Sequence, residues 1–465
     1  MNPGEERQPG SGTSTYTRSG VSVSLPNRAA LERALQSSAP LISLQLAAPH
    51  TEVEALLSQR GDAPSVLFAP PGGPHWAGLG VAAEITARGE GRFRELVSIS
   101  SKHPTERVGL SGDGAPLPRF FGGFAFQAMP APSEAWGEFG DARFVLPRVS
   151  YTVTGREAWL TLTLGPAERD PAAVEQELRA LFARLCREPA PAESPSVLLT
   201  DSVTPSPAVA RARWDALVGA ILAAIERGEV EKVVAARAES FLSARAVDGV
   251  EVLRRLRGEP HINRIALRFG ERELIAATPE RLVSLAGFEV RTEALAGTRR
   301  AADHEAALTL LASEKDRAEH RPVAREIVRC LTPLASAVHA AEQPIVRELR
   351  HVVHLLTPIT AELKERRHVL SLVEALHPTP AVGGTPTAAA LDFIRAHEEL
   401  ERGWYAGPIG WFDAAGDGEF WVGLRSALLE RSSVQLFAGA GIVRGSESAR
   451  EYAETELKLR ALGLL

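Results

Sequence analysis

One stretch decides the fold: Trp214-Asp-Ala-Leu-Val-Gly-Ala-Ile-Leu-Ala-Ala-Ile-Glu-Arg-Gly228, followed after three residues by Lys232-Val-Val-Ala-Ala-Arg237. The first part has the apolar spacing of an amphipathic helix, and Gly228 stands where helices commonly end in a left-handed residue. The second part predicts a strand. Strands and helices alternate from here to the C-terminus, so the sequence predicts an α+β fold in which much of the sheet is antiparallel.

Residues 41–164 carry strand-like runs that are broken by Gly and Pro. The clearest are Ser65-Val-Leu-Phe-Ala69, Phe120-Phe-Gly-Gly-Phe-Ala-Phe126, Arg143-Phe-Val-Leu-Pro-Arg148 and Trp159-Leu-Thr-Leu-Thr-Leu164. They do not alternate regularly with helices, which argues against a doubly wound parallel sheet. A helix is predicted over 171–186 from its apolar periodicity.

Four segments follow from these patterns. Residues 1–20 are polar and predict a disordered tail, and residues 21–186 form the strand-rich half. Residues 187–208 include Glu188-Pro-Ala-Pro-Ala-Glu-Ser-Pro195 and predict a Pro/Ser-rich connection. Residues 209–465 carry the motifs described below.

Composition excludes several classes of protein. The 465 residues are 45% hydrophobic and carry a formal charge of −6, which argues against a nucleic-acid binder that neutralises phosphates. No run approaches the roughly 18 apolar residues that span a bilayer, and the N-terminus lacks the apolar core of a secretory signal. Cys186 and Cys330 are too few for a disulfide framework. We therefore expect a cytoplasmic protein that binds neither nucleic acid nor membrane.

Two segments predicted to be helical each place carboxylates three residues apart on one face. They are Ser313-Glu-Lys-Asp-Arg-Ala-Glu-His320, with Asp316 and Glu319, and Glu451-Tyr-Ala-Glu-Thr-Glu-Leu-Lys458, with Glu451, Glu454 and Lys458. Carboxylate oxygens are ligands that suit Mg²⁺. The spacing alone leaves two interpretations open, a metal site and a solvated helix face with salt bridges.

Lysine is scarce, at 5 of the 52 basic residues. Arginine stays protonated and serves poorly as a general base, whereas a lysine drawn into an apolar pocket can serve. Lys232 is therefore either a solvent-facing strand residue or a candidate base. The glycines of Gly439-Ala-Gly441 and Leu295-Ala-Gly-Thr298 indicate either close approach of a ligand to the backbone or close packing.

Ten motifs follow one another along the second half of the chain. They are Lys232-Val-Val-Ala-Ala-Arg237, Ala277-Thr-Pro-Glu-Arg281, Glu293-Ala-Leu-Ala-Gly-Thr298, Ser313-Glu-Lys-Asp-Arg-Ala-Glu-His320, His354-Leu-Leu-Thr357, His377-Pro-Thr-Pro-Ala-Val-Gly-Gly384, Arg402-Gly-Trp-Tyr-Ala-Gly-Pro-Ile-Gly-Trp411, Leu424-Arg425, Ala438-Gly-Ala-Gly-Ile-Val443 and the segment from Glu451 to Lys458. In this order they resemble the chorismate-utilising enzyme family, and within it the isochorismate synthases. The resemblance is dense over residues 210–465 and loose over the N-terminal half.

The resemblance implies one large α+β unit of two packed, largely antiparallel sheets surrounded by helices, to which the N-terminal half supplies strands. It also implies Mg²⁺-dependent conversion of chorismate to isochorismate, in which water adds at C2 and the hydroxyl leaves C4. Lys232 matches the base, and Glu280 matches the acid for the leaving hydroxyl. Glu319 and Glu454 match direct ligands of Mg²⁺, and Glu451 matches a residue that supports the ion through water.

Seven further positions match residues that surround the substrate in the family. They are Gly297, Thr298, His354, Tyr405, Arg425, Gly439 and Lys458. A fixed guanidinium fork such as that of Arg425 is well suited to a carboxylate of chorismate. Six other residues are assigned to packing or hydrogen bonding: Glu293, Asp316, His320, His377, Trp404 and Trp411.

Related enzymes differ from this chain at two positions. Anthranilate synthases typically carry glutamine where Lys232 stands and take ammonia from a glutaminase partner, and aminodeoxychorismate synthases carry lysine where Ala296 stands. Both differences predict water as the nucleophile and no glutaminase subunit, and we expect a monomer. Two alternatives stay open: a salicylate synthase, which also eliminates pyruvate, and a non-catalytic relative that binds chorismate. Menaquinone and siderophore biosynthesis both stay open as uses of isochorismate.

Overall fold

The computed structural model describes residues 5–7, 14–18, 21–100, 105–111, 114–187, 199, 201–202, 206–301, 305–350 and 352–465. The side chains of residues 5–7, 14, 21, 201, 202, 300, 315 and 319 lie outside this description. Within the described ranges, every helix is too short or too polar to cross a membrane.

The α-helices of the described residues lie mostly between strands that follow one another in the chain. They are α1 (Arg28–Leu35), α2 (Glu54–Leu57), α3 (Arg92–Ser100), α4 (Pro171–Cys186), α5 (Pro207–Glu226), α6 (Gly249–Arg255), α7 (Ala306–Ala312), α8 (Glu314–Leu331), α9 (Val369–Leu376), α10 (Thr387–His397) and α11 (Ser448–Leu459).

The strands of the same residues are distributed over both halves of the chain. They are β1 (Glu5–Arg7), β2 (Ser14–Arg18), β3 (Val21–Ser24), β4 (Leu41–Ala47), β5 (Ser65–Ala69), β6 (His75–Leu79), β7 (Ala83–Ala87), β8 (Thr105–Gly109), β9 (Arg119–Phe124), β10 (Ala142–Leu146), β11 (Val149–Thr154), β12 (Glu157–Leu164), β13 (Asp201–Ser202), β14 (Lys232–Leu242), β15 (Asn263–Phe269), β16 (Arg272–Thr278), β17 (Arg281–Ala286), β18 (Glu289–Arg300), β19 (Ala335–Ala340), β20 (Ile345–Glu348), β21 (Val352–Leu363), β22 (Gly384–Thr385), β23 (Pro408–Asp413), β24 (Gly418–Val422), β25 (Ser426–Glu430) and β26 (Ser433–Val443).

Two large sheets dominate the described part of the chain. One has the order β13-β14-β26-β25-β16-β15-β5-β6-β11-β12-β4-β8, with β22 also paired to β14. The other has the order β19-β21-β18-β17-β24-β23-β9-β10-β7, with β20 also paired to β21. Of the pairings in these residues, that of β4 with β8 is parallel, and the rest are antiparallel, as in β14 with β26.

The N-terminal half supplies strands to both sheets. Strand β5 pairs with β15, and β9 lies between β10 and β23. This confirms the predicted α+β class and the prediction that one unit contains two packed, largely antiparallel sheets.

The main core lies between the two sheets, and a second core lies under helices on the outer face of the larger one. Strand β5 contributes to both, since successive side chains of a strand point to opposite faces. Val66 and Phe68 enter the first core, and Leu67 and Ala69 enter the second. Burial on both faces explains why this strand is an unbroken apolar run.

Several local predictions are confirmed. The helix over 171–186 is α4, and α5 is followed by Gly228 at a φ of +75°. Trp404 and Trp411 are core residues, at 0% and 8% exposure.

The segment boundaries stay predictions. Ser14–Arg18, inside the predicted tail, forms a strand, and its Tyr16 packs on Phe182 with ring centroids 5.3 Å apart. Glu5–Arg7 forms a strand as well, and residues 1–4, 8–13 and 19–20 of the tail and most of the connection over 187–208 lie outside the described residues.

Candidate active site

One cavity brings together ten of the twelve residues that the sequence assigned to the site. It is lined by Lys232, Glu280, Gly297, Thr298, His354, Tyr405, Arg425, Gly439, Glu454 and Lys458. Strands β14 and β26 of the larger sheet and β18 and β21 of the smaller sheet contribute to its wall, together with α11. The cavity therefore lies where the two sheets meet.

Lys232 begins β14 and is buried rather than solvent-facing, with 8% exposure. Its backbone is enclosed on both sides, by Thr385 of β22 and Val443 of β26. Gly384 makes this possible, because a Cβ atom there would lie 2.2 Å from the Lys232 carbonyl oxygen. The burial favours the interpretation of Lys232 as a base over that of a surface residue.

Glu280 lies between β16 and β17 and is 5% exposed. Its amide donates to Thr278 Oγ1 at 3.3 Å, and its carbonyl accepts from the Val422 amide at 3.0 Å. Burial raises the pKa of its carboxyl group to about 8, and the charge of Glu293 acts in the same direction, against the opposing charge of Lys232. At neutral pH this carboxyl group is protonated and can donate a proton.

Glu293 has a different role from Glu280, although both lie in the same region. Its Oε2 accepts from Arg347 Nη2 at 3.0 Å, and its Oε1 accepts from the Arg281 amide at 3.1 Å. Arg347 also donates to the Pro279 carbonyl at 2.7 Å. These bonds hold the loop that carries Glu280, which is a structural role.

A bulge in β18 shapes the wall beside His354. The pairing with β21 shifts between Ala296 and Thr298, and Gly297 has a φ of +76°. His354 Nδ1 then lies 3.0 Å from Thr298 Oγ1 and 3.2 Å from the Gly297 carbonyl oxygen. The bulge thus turns backbone and side-chain oxygens towards one ring nitrogen.

The other nitrogen of His354 holds Arg425, with Nη2 and Nε2 3.2 Å apart. A guanidinium only donates, so Nε2 accepts and the single proton of a neutral ring is on Nδ1, facing Gly297. Burial, with the nearby charge of Arg425, lowers the pKa of His354 well below its ordinary value. The ring is therefore neutral and acts as an acceptor that orients the guanidinium.

Arg425 places a cation in the wall of the cavity. Burial lowers the pKa of Arg425 to about 10, although the charge of Glu259 acts to raise it. Arg425 therefore stays protonated at neutral pH. Among the described side chains its polar partner is neutral His354 rather than a carboxylate. A partly buried cation of this kind binds a ligand carboxylate without breaking an ion pair first.

Helix α11 contributes Lys458, whose Nζ donates to the Gly439 carbonyl at 2.8 Å and lies 2.7 Å from Glu454 Oε1. Tyr405 stacks on Phe437 with ring centroids 5.3 Å apart. A Cβ atom at Gly439 would lie 2.9 Å from the Tyr405 hydroxyl oxygen. Gly439 is thus needed for close packing as well as for the cavity wall.

Two helices bring carboxylates towards the cavity. Glu454 lines it with 30% exposure, and Glu451 lies one turn earlier on α11. Helix α8 begins beside the cavity, where Asp316 lies under Gly297 and forms an ion pair with Arg299 at 3.0 Å. Glu319 follows on α8, but its side chain lies outside the described residues.

The described side chains contain no group of three His, Cys, Asp or Glu residues placed to hold a metal. Magnesium commonly uses only one or two carboxylates and completes its coordination with water and substrate oxygens. The donors on α8 and α11 are carboxylate oxygens, so their chemistry fits Mg²⁺.

Two acidic–basic pairs beside the cavity were not predicted from the sequence. Arg347 pairs with Glu293, and Arg402 pairs with Glu398, both nearly buried at 4% and 2% side-chain exposure. The four-residue spacing of Glu398 and Arg402 was a usable signal, although neither residue lies in a helix.

The chain is similar in sequence to known proteins. The sequence model of the chorismate binding enzyme family matches residues 29–464. The salicylate biosynthesis isochorismate synthase of Pseudomonas aeruginosa is 38% identical over 393 residues, which cover 82% of this chain and 81% of that protein. Isochorismate synthase MenF of Bacillus subtilis is 33% identical over 353 residues, or 74% of each chain.

Solved structures give the same result for the fold. MenF, the menaquinone-specific isochorismate synthase from Escherichia coli, matches with a TM-score of 0.74 and 27% identity, over 94% of this chain and 99% of that chain. Anthranilate synthase component I from Streptococcus pneumoniae TIGR4 matches with a TM-score of 0.69 at 22% identity, over 84% and 92% of the two chains, which shows the shared fold alone.

Proposed function

Because the chain belongs to the chorismate binding enzyme family, we propose that it is an isochorismate synthase, an isomerase that converts chorismate to isochorismate. The observation that carries this proposal is the pairing of a buried lysine with a protonated carboxyl group in one cavity. Lys232 and Glu280 both line that cavity, and burial raises the pKa of Glu280 to about 8.

The reaction needs one proton removed and one supplied. Water attacks C2 of the ring, and its proton passes to the Lys232 amine. The two ring double bonds shift, and the C4–O bond breaks. The departing hydroxyl takes the proton of Glu280 and leaves as water, so the overall change is an isomerisation. A positioned acid or base contributes roughly 10²–10⁴-fold each.

Chorismate carries two carboxylates, and the cavity offers separate groups for them. Arg425, oriented by His354, suits the side-chain carboxylate. Lys458 lies on the same side, where it is held by Gly439 and Glu454.

We propose that Mg²⁺ serves the ring carboxylate. Glu319 and Glu454 would hold the ion, with Glu451 acting through water. When bound, Mg²⁺ would neutralise and orient that carboxylate. This proposal is supported by Glu454, which lines the cavity, and by the carboxylate chemistry of Glu319 on α8 and Glu451 on α11, which suits Mg²⁺.

The decisive test is an assay of the purified protein with chorismate and Mg²⁺, with the products separated by chromatography. Isochorismate is the expected main product, without added ammonia and without a glutaminase subunit. Anthranilate formed with ammonia would contradict the proposal. So would salicylate and pyruvate as main products, or chorismate that binds without turnover.

The base is tested by Lys232→Arg. The guanidinium keeps the positive charge but cannot accept a proton at neutral pH, so kcat should fall roughly 10²–10⁴-fold. Lys364→Arg is the matched control, since Lys364 is exposed and donates to the Pro333 carbonyl at 3.0 Å. Wild-type kcat in Lys232→Arg would remove Lys232 from the role of base.

The metal proposal is tested by chelation and by Glu454→Gln. Chelation should abolish turnover, and restored Mg²⁺ should recover it. Glu454→Gln should raise the Mg²⁺ concentration for half-maximal activity by at least about 10-fold, because a charged ligand is lost. Glu447→Gln, at the exposed N-cap position just before the same helix, is the control and should leave this concentration unchanged. An unchanged Mg²⁺ requirement in Glu454→Gln would contradict the assignment.

A further inference from the structure

Among the described residues, strand β14, which begins with Lys232, has a complete backbone partner on one edge only. Strand β26 pairs with it over its full length. On the other edge, the described residues give backbone strands at the two ends alone, β22 at Lys232–Val233 and β13 at Phe241–Leu242. Between these ends the edge is covered by a loop and by two side chains.

Those two side chains continue the hydrogen-bond ladder. The Val234 amide donates to the Gly383 carbonyl at 2.9 Å. The Val234 carbonyl then accepts from Arg402 Nη2 at 2.7 Å, and the Ala236 amide donates to Glu398 Oε2 at 3.1 Å. An adjacent strand would offer one donor and one acceptor at such positions, and here an ion pair offers them.

The guanidinium of this ion pair already has hydrogen-bond partners in the protein at each nitrogen. Arg402 Nε and Nη2 donate to Glu398 Oε1 and Oε2 at 2.6 and 2.7 Å. Nη1 donates to the Val382 carbonyl at 3.0 Å, and the guanidinium lies 4.3 Å from the centre of the Phe126 ring. All three guanidinium nitrogens are thus engaged by the protein, so Arg402 lines the cavity without being available to a substrate carboxylate.

The contribution of the Arg402–Glu398 ion pair to stability does not explain why it is buried here. A buried ion pair contributes little net free energy compared with well-packed apolar side chains, because both charges lose their water. What the pair does fix is geometry. Lys232 and Val234 are two residues apart, so they share a face of β14, and both line the cavity.

We propose that Arg402 and Glu398 are positioning residues. Within the described residues they take the place of a neighbouring strand at Val234 and Ala236 of β14 and hold Lys232 facing the substrate. The inference rests on the proposed function for the role of Lys232, whereas the state of the strand edge can be measured without substrate.

Arg402→Lys is the first test. Lysine keeps the charge but has a single ammonium group, which cannot reach Glu398, Val234 and Val382 together. We expect kcat to fall roughly 100-fold, as for a small misplacement of a reacting group, with KM within about 3-fold. In hydrogen exchange without substrate, the peptide over 232–238 should exchange about 10-fold faster, because its edge opens locally.

Arg60→Lys is the matched control. Arg60 and Glu273 form another buried pair, with 5% and 1% side-chain exposure and 2.9 Å between Nη2 and Oε2. Neither residue lines the cavity. This variant should lose comparable thermal stability yet keep kcat and the exchange rate of the peptide over 232–238.

Three outcomes would overturn the inference. The first is a folded Arg402→Lys variant whose kcat is within about 3-fold of wild type. The second is a fall in kcat of Arg402→Lys while the hydrogen exchange of β14 is unchanged. The third is that Arg60→Lys raises the hydrogen exchange of β14 as much as Arg402→Lys does. If Arg402→Lys does not fold, Glu398→Gln replaces it, since it keeps the side-chain shape and one acceptor, and the same pattern is expected with a smaller fall in kcat.

Two readouts separate this inference from the proposed function. A wild-type protein that makes no isochorismate contradicts the function but leaves the exchange test intact. In the wild type, the Ala236 amide should exchange as slowly as amides of interior strands, and exchange at the rate of a free edge would contradict the pairing role by itself.

Discussion

The carboxyl group of Glu280 keeps its proton at neutral pH because it is buried, with Glu293 nearby, and its pKa is raised to about 8. A general acid works only while protonated, so kcat should fall about tenfold per pH unit above that pH. The measurement is a pH profile of kcat at saturating chorismate. Glu280→Gln should lose roughly 10²–10⁴-fold in kcat and should lack this limb. A limb that persists in the variant would belong to another group.

The raised pKa of Glu280 also lowers the free energy of unfolding, and the pH dependence of this effect can be tested. A folded pKa of about 8 against an ordinary value of 4.5 means that the unfolded chain releases this proton first. The cost is absent below pH 4.5, grows between 4.5 and 8, and is complete above 8. At about 1.4 kcal/mol per pH unit, Glu280→Gln should stabilise the fold by about 3 kcal/mol at pH 7. Urea unfolding at pH 4.5 and pH 7 measures this, and an equal effect at both values would contradict it.

At the scale of an element, the bulge of β18 is what creates the wall beside His354. Gly297→Ala forces an alanine into a left-handed conformation, which costs about 1–2 kcal/mol, and the bulge can relieve that strain by moving. We expect a small fall in Tm together with at least a roughly 10-fold fall in kcat/KM, because Thr298 and the His354–Arg425 contact move with it.

The control for this prediction is Gly287→Ala. Gly287 also has a positive φ, +63°, but it lies in the turn between β17 and β18, far along the strand from Gly297. Its substitution should lower Tm by a similar amount and leave kcat/KM unchanged. If both variants keep kcat/KM, the bulge does not shape the site.

Elements with a clear periodicity were predictable from sequence, and irregular ones were not. Helix α4 and the apolar run of β5 follow from local pattern alone. The bulge at Gly297 depends on its partner strand β21, which no local pattern identifies. The spacing of Glu398 and Arg402 is typical of a helical pair, yet both residues follow α10, and their contact with β14 depends on the tertiary fold. The contact between Arg347 and Glu293 also depends on the tertiary fold, because the two residues are 54 positions apart in the chain.

At the scale of the whole molecule, the sequence identified strands but not their neighbours. Strand β5 lies beside β15, so that Phe68 pairs with Ile265, and β9 lies between β10 and β23. The pairings of β5 with β15 and of β9 with β23 join residues about two to three hundred positions apart, and their register follows from the packing of both sheets rather than from periodicity. The residues of the cavity could be predicted from the sequence, because they lie in motifs that follow a recognisable order in the second half of the chain. Their mutual contacts, such as the acceptor role of His354 towards Arg425, required the fold.

This topology predicts that the second half does not fold by itself, although it carries every residue assigned to the site. A fragment of residues 206–465 lacks β5 and β9, so β15 and β23 become open edges with apolar faces, which favours aggregation. Expressed alone, it should show no cooperative urea unfolding and no turnover. Co-expression with a fragment of residues 1–205, which divides the chain in the Pro/Ser-rich connection, should restore both, since the fragments can rebuild the two sheets. Full-length protein treated identically is the reference. A cooperatively unfolding, active 206–465 fragment would show instead that the catalytic region is a separate domain and that the shared sheets are not required for it.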